Sequence, residues 1–370
     1  MKKTLLALAA LAATSAAMAQ SSVTLYGVVD ASVESVKGDK SVTRVTSDNL
    51  ATSRLGVKGV EDIGGGVKAA FNLESAVKAD TGAQGNSARF WDRAAWVGLG
   101  SSAAGELRLG RIDSAIGDIA GNVLSAQNYD DLKIVGTRAG DKYRRVDNTL
   151  TYVLPTLVPG LTTTLQYSTA AVGYKTTGVI DTTVAGNEAA GNSAGKAYGL
   201  GVKYAAGQLS AGLGYLSAKD ENNVLTGSQK ANATLVYAGY DLGVAKVTAY
   251  YDAESSPALF TATTALTSAN NRRMSVLGAK VAVPLSTEFT TVVSAAQARN
   301  VSGLAAGTDN VQIFTVKGIY TLSKRTALYA MLTNVNNGKA TTKAPFATTD
   351  VAVTADQTTR GIAAGIRHAF

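Results

Sequence analysis

Residues 67–75 read VKAAFNLES, and the order alternates. Val67, Ala69, Phe71 and Leu73 fall on one face of an extended chain, and Lys68, Ala70, Asn72 and Glu74 fall on the other, because successive side chains of a strand point to opposite sides. The pattern recurs outward from there. Val23, Leu25, Val29 and Val33 oppose Thr24, Tyr26, Asp30 and Glu34, and at 196–204 Tyr198, Leu200, Val202 and Tyr204 alternate with glycine and Lys203. A soluble antiparallel sheet with one wet face alternates in the same way. Alternation therefore defines the element and leaves the fold open.

The spacing of the segments is more selective. Strand-like stretches lie near 23–34, 50–60, 66–78, 89–100, 105–111, 144–154, 161–169 and 196–205, then near 208–217, 230–240, 243–253, 273–283, 287–297, 310–322, 325–336 and 358–370. These are sixteen, most of them close to the 9–11 residues that cross a bilayer when tilted. Their links alternate in length. EDIGG (61–65), SSAA (101–104), PTLVPG (155–160), AG (206–207), DL (241–242), PLS (284–286) and SK (323–324) are short. Longer polar links fall at about 35–49, 79–88, 112–143, 170–195, 218–229, 254–272, 298–309 and 337–357. An even strand number with loops sorted by length predicts an all-β fold: a sixteen-stranded antiparallel transmembrane β-barrel with short periplasmic turns and long extracellular loops. No composition break divides the chain, so residues 20–370 read as one barrel domain.

The two faces then acquire surroundings. The apolar face is expected to meet lipid, with Tyr152, Tyr167, Tyr198, Tyr204, Tyr215, Tyr237, Tyr251 and Tyr320 on it, several at headgroup depth. The other face carries charges that a packed core could not accept, since an unpaired buried charge is strongly destabilising. Water is expected to fill the interior. By parity the lumen receives Arg54, Lys58, Lys68, Arg108, Arg145, Lys203, Lys246, Lys280, Lys317 and Arg367 against Asp30, Glu34, Glu74, Glu106, Asp147 and Glu288.

The first residues carry a different message. Lys2 and Lys3, the apolar stretch from Leu5 to about Ala13, and Ala17-Met18-Ala19 have the form of a secretory signal, so residues 1–19 are expected to be cleaved and the protein exported. The chain has no cysteine, which removes disulfides and thiolate metal sites. Its single histidine, His368, stands apart from any Ser or Asp partner set, so hydrolytic chemistry is not expected. GVEDIGGGVK (59–68) lacks the Lys-Ser/Thr ending of a phosphate loop and reads as a tight turn. No cofactor, metal or nucleic-acid partner is expected. A sugar-specific channel would want a lumenal ladder of aromatics, and none is read here. An adhesive role for the long loops stays open.

Taken together, SSVTLYGVVD at the start of the mature chain, SRLGVKGVEDIGGGVKAAFNLES (53–75), RFWDRAAWVGLG (89–100), GELRLGR (105–111), YTLSKRTALYA (320–330) and the terminal GIRHAF (365–370) make the chain resemble a known family. It is similar to the general diffusion porins of Gram-negative outer membranes, in the branch typical of beta-proteobacteria and neisserial relatives. The resemblance implies three barrels per assembly and a third extracellular loop folded into each pore, and the longest link counted above, 112–143, is the third. It further implies a basic cluster at the constriction from Arg54, Arg93 and Arg145, faced by Glu74 and by acids of loop three among Asp113, Asp118, Asp130 and Asp131. Parity supports Arg54, Glu74 and Arg145, whereas Arg93 rests on the resemblance alone. Lys58, Lys68 and Arg108 are expected as further lumen charges. The last strand is expected to close the barrel against the first, with Ile362, Ile366, His368 and Phe370 outward as a signal to the insertion machinery. The implied partners are outer-membrane lipid and lipopolysaccharide, small hydrophilic solutes and inorganic ions, in a homotrimeric, mildly anion-selective channel.

Overall fold

The computed structural model describes residues 21–124, 134–136, 141–169, 196–219, 230–256, 272–301, 308–347 and 350–370. The leader expected over 1–19 lies outside them. The strands are β1 (Ser22–Lys37), β2 (Ser41–Ser47), β3 (Arg54–Gly64), β4 (Val67–Ala76), β5 (Ala94–Ser101), β6 (Gly105–Asp113), β7 (Arg145–Val153), β8 (Leu161–Ser168) and β9 (Ala197–Ala206). They continue as β10 (Leu209–Lys219), β11 (Lys230–Asp241), β12 (Lys246–Ser256), β13 (Arg272–Pro284), β14 (Phe289–Arg299), β15 (Val311–Thr321), β16 (Thr326–Asn337) and β17 (Thr358–Ala369). Among the described residues between β6 and β7 are the helices α1 (Ala115–Leu124) and α2 (Asp141–Arg144). Among the described residues no helix is long and apolar enough to cross a membrane, and the crossing is made by strands.

From β3 to β17 each strand pairs antiparallel with the next, and β17 returns to β1, so the sheet closes on itself. Strand β1 pairs with β2 over residues 31–37 and with β3 over residues 22–28, so β2 and β3 together make one stave. Seventeen strand segments therefore form the expected sixteen staves. Closure matters because an unpaired strand edge has no partner for its amides in hydrocarbon. The seam runs in unbroken register from Val28 opposite Ala369 to Lys37 opposite Arg360. Gly27 and Phe370 extend it by exchanging backbone hydrogen bonds of 3.1 Å in both directions. A Cβ on Gly27 would stand 2.3 Å from Cζ of Phe370 and 2.7 Å from the Arg54 carbonyl oxygen. The terminal ring thus occupies the space that a side chain at position 27 would need. At the β3–β4 turn, Gly64, Gly65 and Gly66 have φ of 90°, 62° and 77°, a run of left-handed backbone that glycine adopts without steric cost.

The alternation reads out as foreseen on most of the outer face. Leu25, Val97, Leu277, Tyr198, Tyr251 and Tyr320 are exposed, as are Ile362, Ile366 and Phe370. Inside, the wall of β9 to β15 is packed rather than wet towards its long-loop ends, while Lys203 of β9 and Ile319 and Thr321 of β15 still line the water-filled cavity. Ile116, Ile119 and Ala120 of α1 form one buried cluster with Ile134, Val135 and Tyr143 of the same loop and with Leu216, Leu235, Tyr250, Met274 and Val276 of the wall. Ile116 and Ile119 are both fully buried, and burial of each such side chain is worth roughly 1.5–3 kcal/mol. The interior is water-filled as expected except where loop three packs on the wall. Tyr237, expected outward, points inward: it is the register partner of Gly212, whose missing side chain makes room for its ring, and it packs on the same cluster.

Three further expectations are corrected by local geometry. The first long link, 35–49, contains the end of β1, a tight turn at 38–40 and β2. Residues 50–53 and 89–93 leave the sheet, so β3 and β5 begin later than alternation suggested. Glu288 sits fully exposed in the β13–β14 turn, with hydroxyl hydrogen bonds from Thr287 (2.5 Å) and Ser286 (3.1 Å), and is not a wall residue.

The seam yields a first prediction. Gly27→Val forces the Phe370 ring and the Arg54 carbonyl apart, and overpacking of this kind costs roughly 1–3 kcal/mol. The urea midpoint for unfolding in detergent should fall accordingly. An unchanged midpoint would show that the ring is not confined by Gly27.

Candidate functional site

The wet part of the lumen is a cavity of about 920 Å³ between the exposed side of α1 and the inner wall of β1, β3 to β9 and β15 to β17. Glu74, on the inward face of β4, is the centre of its contacts. Arg93 Nε donates to Glu74 Oε1 at 2.5 Å, and Arg54 Nε lies 3.5 Å from Oε2. The Tyr26 hydroxyl from β1 lies 2.9 Å from Oε2 and 2.8 Å from Asn72 Oδ1. Lys58 stands over the Tyr26 ring, 5.1 Å from its centroid. Two arginines thus share one carboxylate, and one positive charge of the three groups is left over.

Arg93 defied the alternation because its segment is not a strand. Its amide donates to the Glu74 carbonyl (3.1 Å), Asp92 Oδ1 accepts the Ala76 amide (2.7 Å), and Arg111 Nε donates to the Asp92 carbonyl (2.7 Å). Arg89 and Arg111 both bind Asp147, at 2.7 Å and 2.5 Å. These contacts fold 89–93 inward. Arg89 and Arg111 were not singled out from sequence, although both stand in the quoted stretches RFWDRAAWVGLG and GELRLGR.

Arg145 approaches the group from the other side. Its Nε donates to the Arg93 carbonyl (3.0 Å) and lies 3.1 Å from Asp113 Oδ1. It therefore links the start of loop three to the Arg93 segment. The loop is fixed at several points. Ser114 Oγ accepts the Gly117 amide (2.9 Å), capping α1, and donates to the Tyr143 carbonyl (2.5 Å). Gln166 of β8 accepts from the Ala115 amide (2.8 Å) and donates to the Asp113 carbonyl (2.9 Å). Lys203 of β9 binds Asp118 (2.6 Å), and the Tyr143 hydroxyl donates to Asp252 (2.6 Å). Asp113 and Asp118 thus line the cavity, while Asp130 and Asp131 lie outside the described residues.

The remaining expected residues are dispersed. Arg108 pairs with Glu106 through two hydrogen bonds (2.8 and 2.7 Å) and covers the Trp96 ring at 4.7 Å. Lys68 is exposed beside the β3–β4 turn, opposite Asp62. Ile362, Ile366, His368 and Phe370 all lie on the outer face, exposed, with His368 Nδ1 2.9 Å from Thr326 Oγ1. Arg367, between them, points inward and lines the cavity with Lys324.

A second inward fold was not foreseen. Residues 48–53, between β2 and β3, bend into the lumen, and Leu50, Ala51 and Thr52 line the cavity. Buried Asp30 holds them. Its Oδ2 accepts the amides of Leu50 (3.1 Å) and Ala51 (2.9 Å), its Oδ1 accepts the Tyr329 hydroxyl (2.7 Å), and its backbone exchanges hydrogen bonds with Ser53 Oγ. The inset in turn holds Arg54, whose Nη1 donates to the Thr52 carbonyl (3.1 Å).

A closed barrel of sixteen staves, with an inward-folded third loop and a charged channel beside it, defines a pore-forming protein of an outer membrane. Residues 6–340 match the family profile of the Gram-negative porins, and the chain belongs to that family. It is 33% identical over 389 residues to outer membrane porin protein 32 of Delftia acidovorans, across the whole of both chains. It is 38% identical to the major outer membrane protein P.IB of Neisseria meningitidis over 125 residues, 32% of this chain and 36% of that one. Its fold is similar to that of the anion-selective porin from Comamonas acidovorans, with a TM-score of 0.76 and 26% identity over 95% of this chain and all of that one. A Salmonella typhi OmpF structure shares the fold at a TM-score of 0.66 and 18% identity, over 94% of this chain and 97% of that one. The protein is an outer-membrane porin, a passive diffusion channel.

Asp30 supplies the prediction for this site. Asp30→Leu strands two amides and a tyrosine hydroxyl, at roughly 1–3 kcal/mol each. Asp30→Asn can still accept and donate there. The leucine variant should show larger and noisier single-channel conductance as the 48–53 inset loosens, with the asparagine variant near wild type. Equal conductance in all three would mean that the inset does not narrow the channel.

Proposed function

We propose that the channel passes small hydrophilic solutes and inorganic ions with a modest preference for anions, and that Arg54 and Arg93, with Arg145 behind them and Glu74, Asp113 and Asp118 around them, form its constriction. The observation that carries this reading is the charge of the cavity lining: Arg54, Arg93, Arg108, Arg144, Lys203, Lys324 and Arg367 against Glu74, Asp113 and Asp118. Lys324 and Arg367 have no ion-pair partner among the described residues, so their fields are not locally cancelled. Opposed charges on wall and loop give a transverse field, and the basic excess gives the net bias. The similar porin from Comamonas acidovorans is anion-selective, which supports the same bias.

The same reading takes residues 1–19 as a cleaved leader, the assembly as a homotrimer, and lipopolysaccharide and the barrel-insertion machinery as partners, the latter engaging Ile362, Ile366, His368 and Phe370. It assigns no enzymatic activity, in keeping with a family of channels and one outward histidine.

Reversal potential in a salt gradient tests the selectivity. Replacing Arg54→Gln and Arg93→Gln together removes two positive charges and leaves Glu74 with Tyr26 and Asn72 as neighbours. The reversal potential should move towards cations. The wild-type preference should also weaken between about 0.1 M and 1 M salt, where the Debye length falls from about 10 Å to about 3 Å. An unchanged reversal potential in the double variant would place selectivity outside this cluster.

A further inference from the structure

The outside of the barrel, facing away from the channel, carries a groove of about 600 Å³ across β12 to β16. Its composition changes with height. On the rung nearer the short turns, Ala279, Ala295 and Phe314 are successive register partners, and Asn334 ends the row at the β16 edge. On the next rung towards the long loops, Leu277, Gln297, Gln312 and Asn336 follow one another. The trough between Leu277 and Phe314 is thus apolar and its upper rim is made of amides. Two of these are already linked, since Asn336 Nδ2 donates to Gln312 Oε1 (3.4 Å).

Basic residues cap this groove on the same outward face. Arg299 stands two residues beyond Gln297 on β14, in register with Ser275, and Arg273 lies two residues further along β13. Residues in that diagonal relation are about 7–8 Å apart at Cα, a span that one phosphate or a pair of phosphates can bridge through two guanidinium forks. At the other rim Arg360 is the register partner of Asn334, which lines the groove, and also of Lys37 across the seam. Like charges directly opposite on neighbouring strands repel, and an anion between them removes the repulsion. All four basic residues are exposed, and none has an ion-pair partner among the described residues.

We propose that this groove binds a phosphate-bearing acyl lipid of the outer leaflet, a proposal that rests on lipopolysaccharide being a partner and gives it a site. An acyl chain lies in the trough between Leu277 and Phe314, and the phosphate rests on Arg273 and Arg299, with Arg360 at the far rim. Charge and depth both select this occupant. A guanidinium on the lipid face is tolerated only near the interface, basic clusters at that depth attract anionic headgroups, and a solute in the channel cannot reach this side of the wall.

Native mass spectrometry of the intact, delipidated protein in neutral detergent tests the site, with diphosphorylated lipid A, its dephosphorylated form and inorganic phosphate as probes. The wild type should retain the phosphorylated lipid. Arg273→Gln with Arg299→Gln should weaken it about 30-fold, two basic contacts at about fivefold each, with wild-type conductance as evidence of folding. Ala295→Phe, which fills the trough and keeps every charge, should weaken it as well, and the dephosphorylated lipid should bind less well than its parent. Equal retention by the arginine variant would overturn this site while leaving lipopolysaccharide a partner elsewhere on the barrel. Equal binding of the dephosphorylated lipid, or binding of inorganic phosphate in place of lipid, would overturn the proposal too. So would absence of lipid from the assembled oligomer because a second copy covers the groove.

Discussion

The rest of this structure depends on one constraint: no backbone amide may be left unpaired in hydrocarbon. The seam between β1 and β17 meets it, and the register there extends to the final residue, with Gly27 and Phe370 exchanging hydrogen bonds. Once the sheet is closed, each strand has one face in lipid and one in the lumen. The sequence alternation is the consequence of that geometry. Phe370 completes a sheet edge at the seam, and its ring covers Gly27.

The second constraint acts within the lumen. A barrel of sixteen staves is too wide for its own side chains to fill, and here the third loop fills part of it. The helix α1 lays isoleucines on the adjoining wall, where Leu216 and Leu235 are buried in one cluster with Tyr250, Met274 and Val276, and buried Asp252 is met by the Tyr143 hydroxyl. The ion-paired arginines gather on the facing wall, around Glu74. The channel is therefore asymmetric in section: dry packing behind the loop and ion-paired wall in front of it. The inset at 48–53, latched by Asp30, narrows the charged side further.

Legibility in the sequence followed the regularity of the backbone. Strands from β6 onward begin and end within about three residues of where alternation and turn residues placed them, since both signals are local. Arg54, Glu74 and Arg145 could be oriented by parity because they occupy strand positions. Arg93 could not, because 89–93 is held by Asp92, Asp147 and Glu74, contacts that span distant positions. Tyr237 was misread for a related reason. Where α1 covers the wall both faces of a strand are apolar, and period-two contrast vanishes. Asp30 was read as one lumenal acid among several; its part as a latch depends on Tyr329, 299 residues away.

The lumen is divided into a part packed by loop three and a wet channel, and the absence of native cysteine makes this division directly measurable. Single cysteines at Leu235 and Val276, buried in the cluster that loop three forms with the wall, and at Asn72 and Thr162, which line the cavity, can be reacted with a small hydrophilic thiol reagent in the folded protein. Asn72→Cys and Thr162→Cys should be labelled rapidly, while Leu235→Cys and Val276→Cys should stay protected until the protein is unfolded. Labelling of Val276→Cys as fast as Asn72→Cys would contradict the account, because it would place water where the third loop is packed.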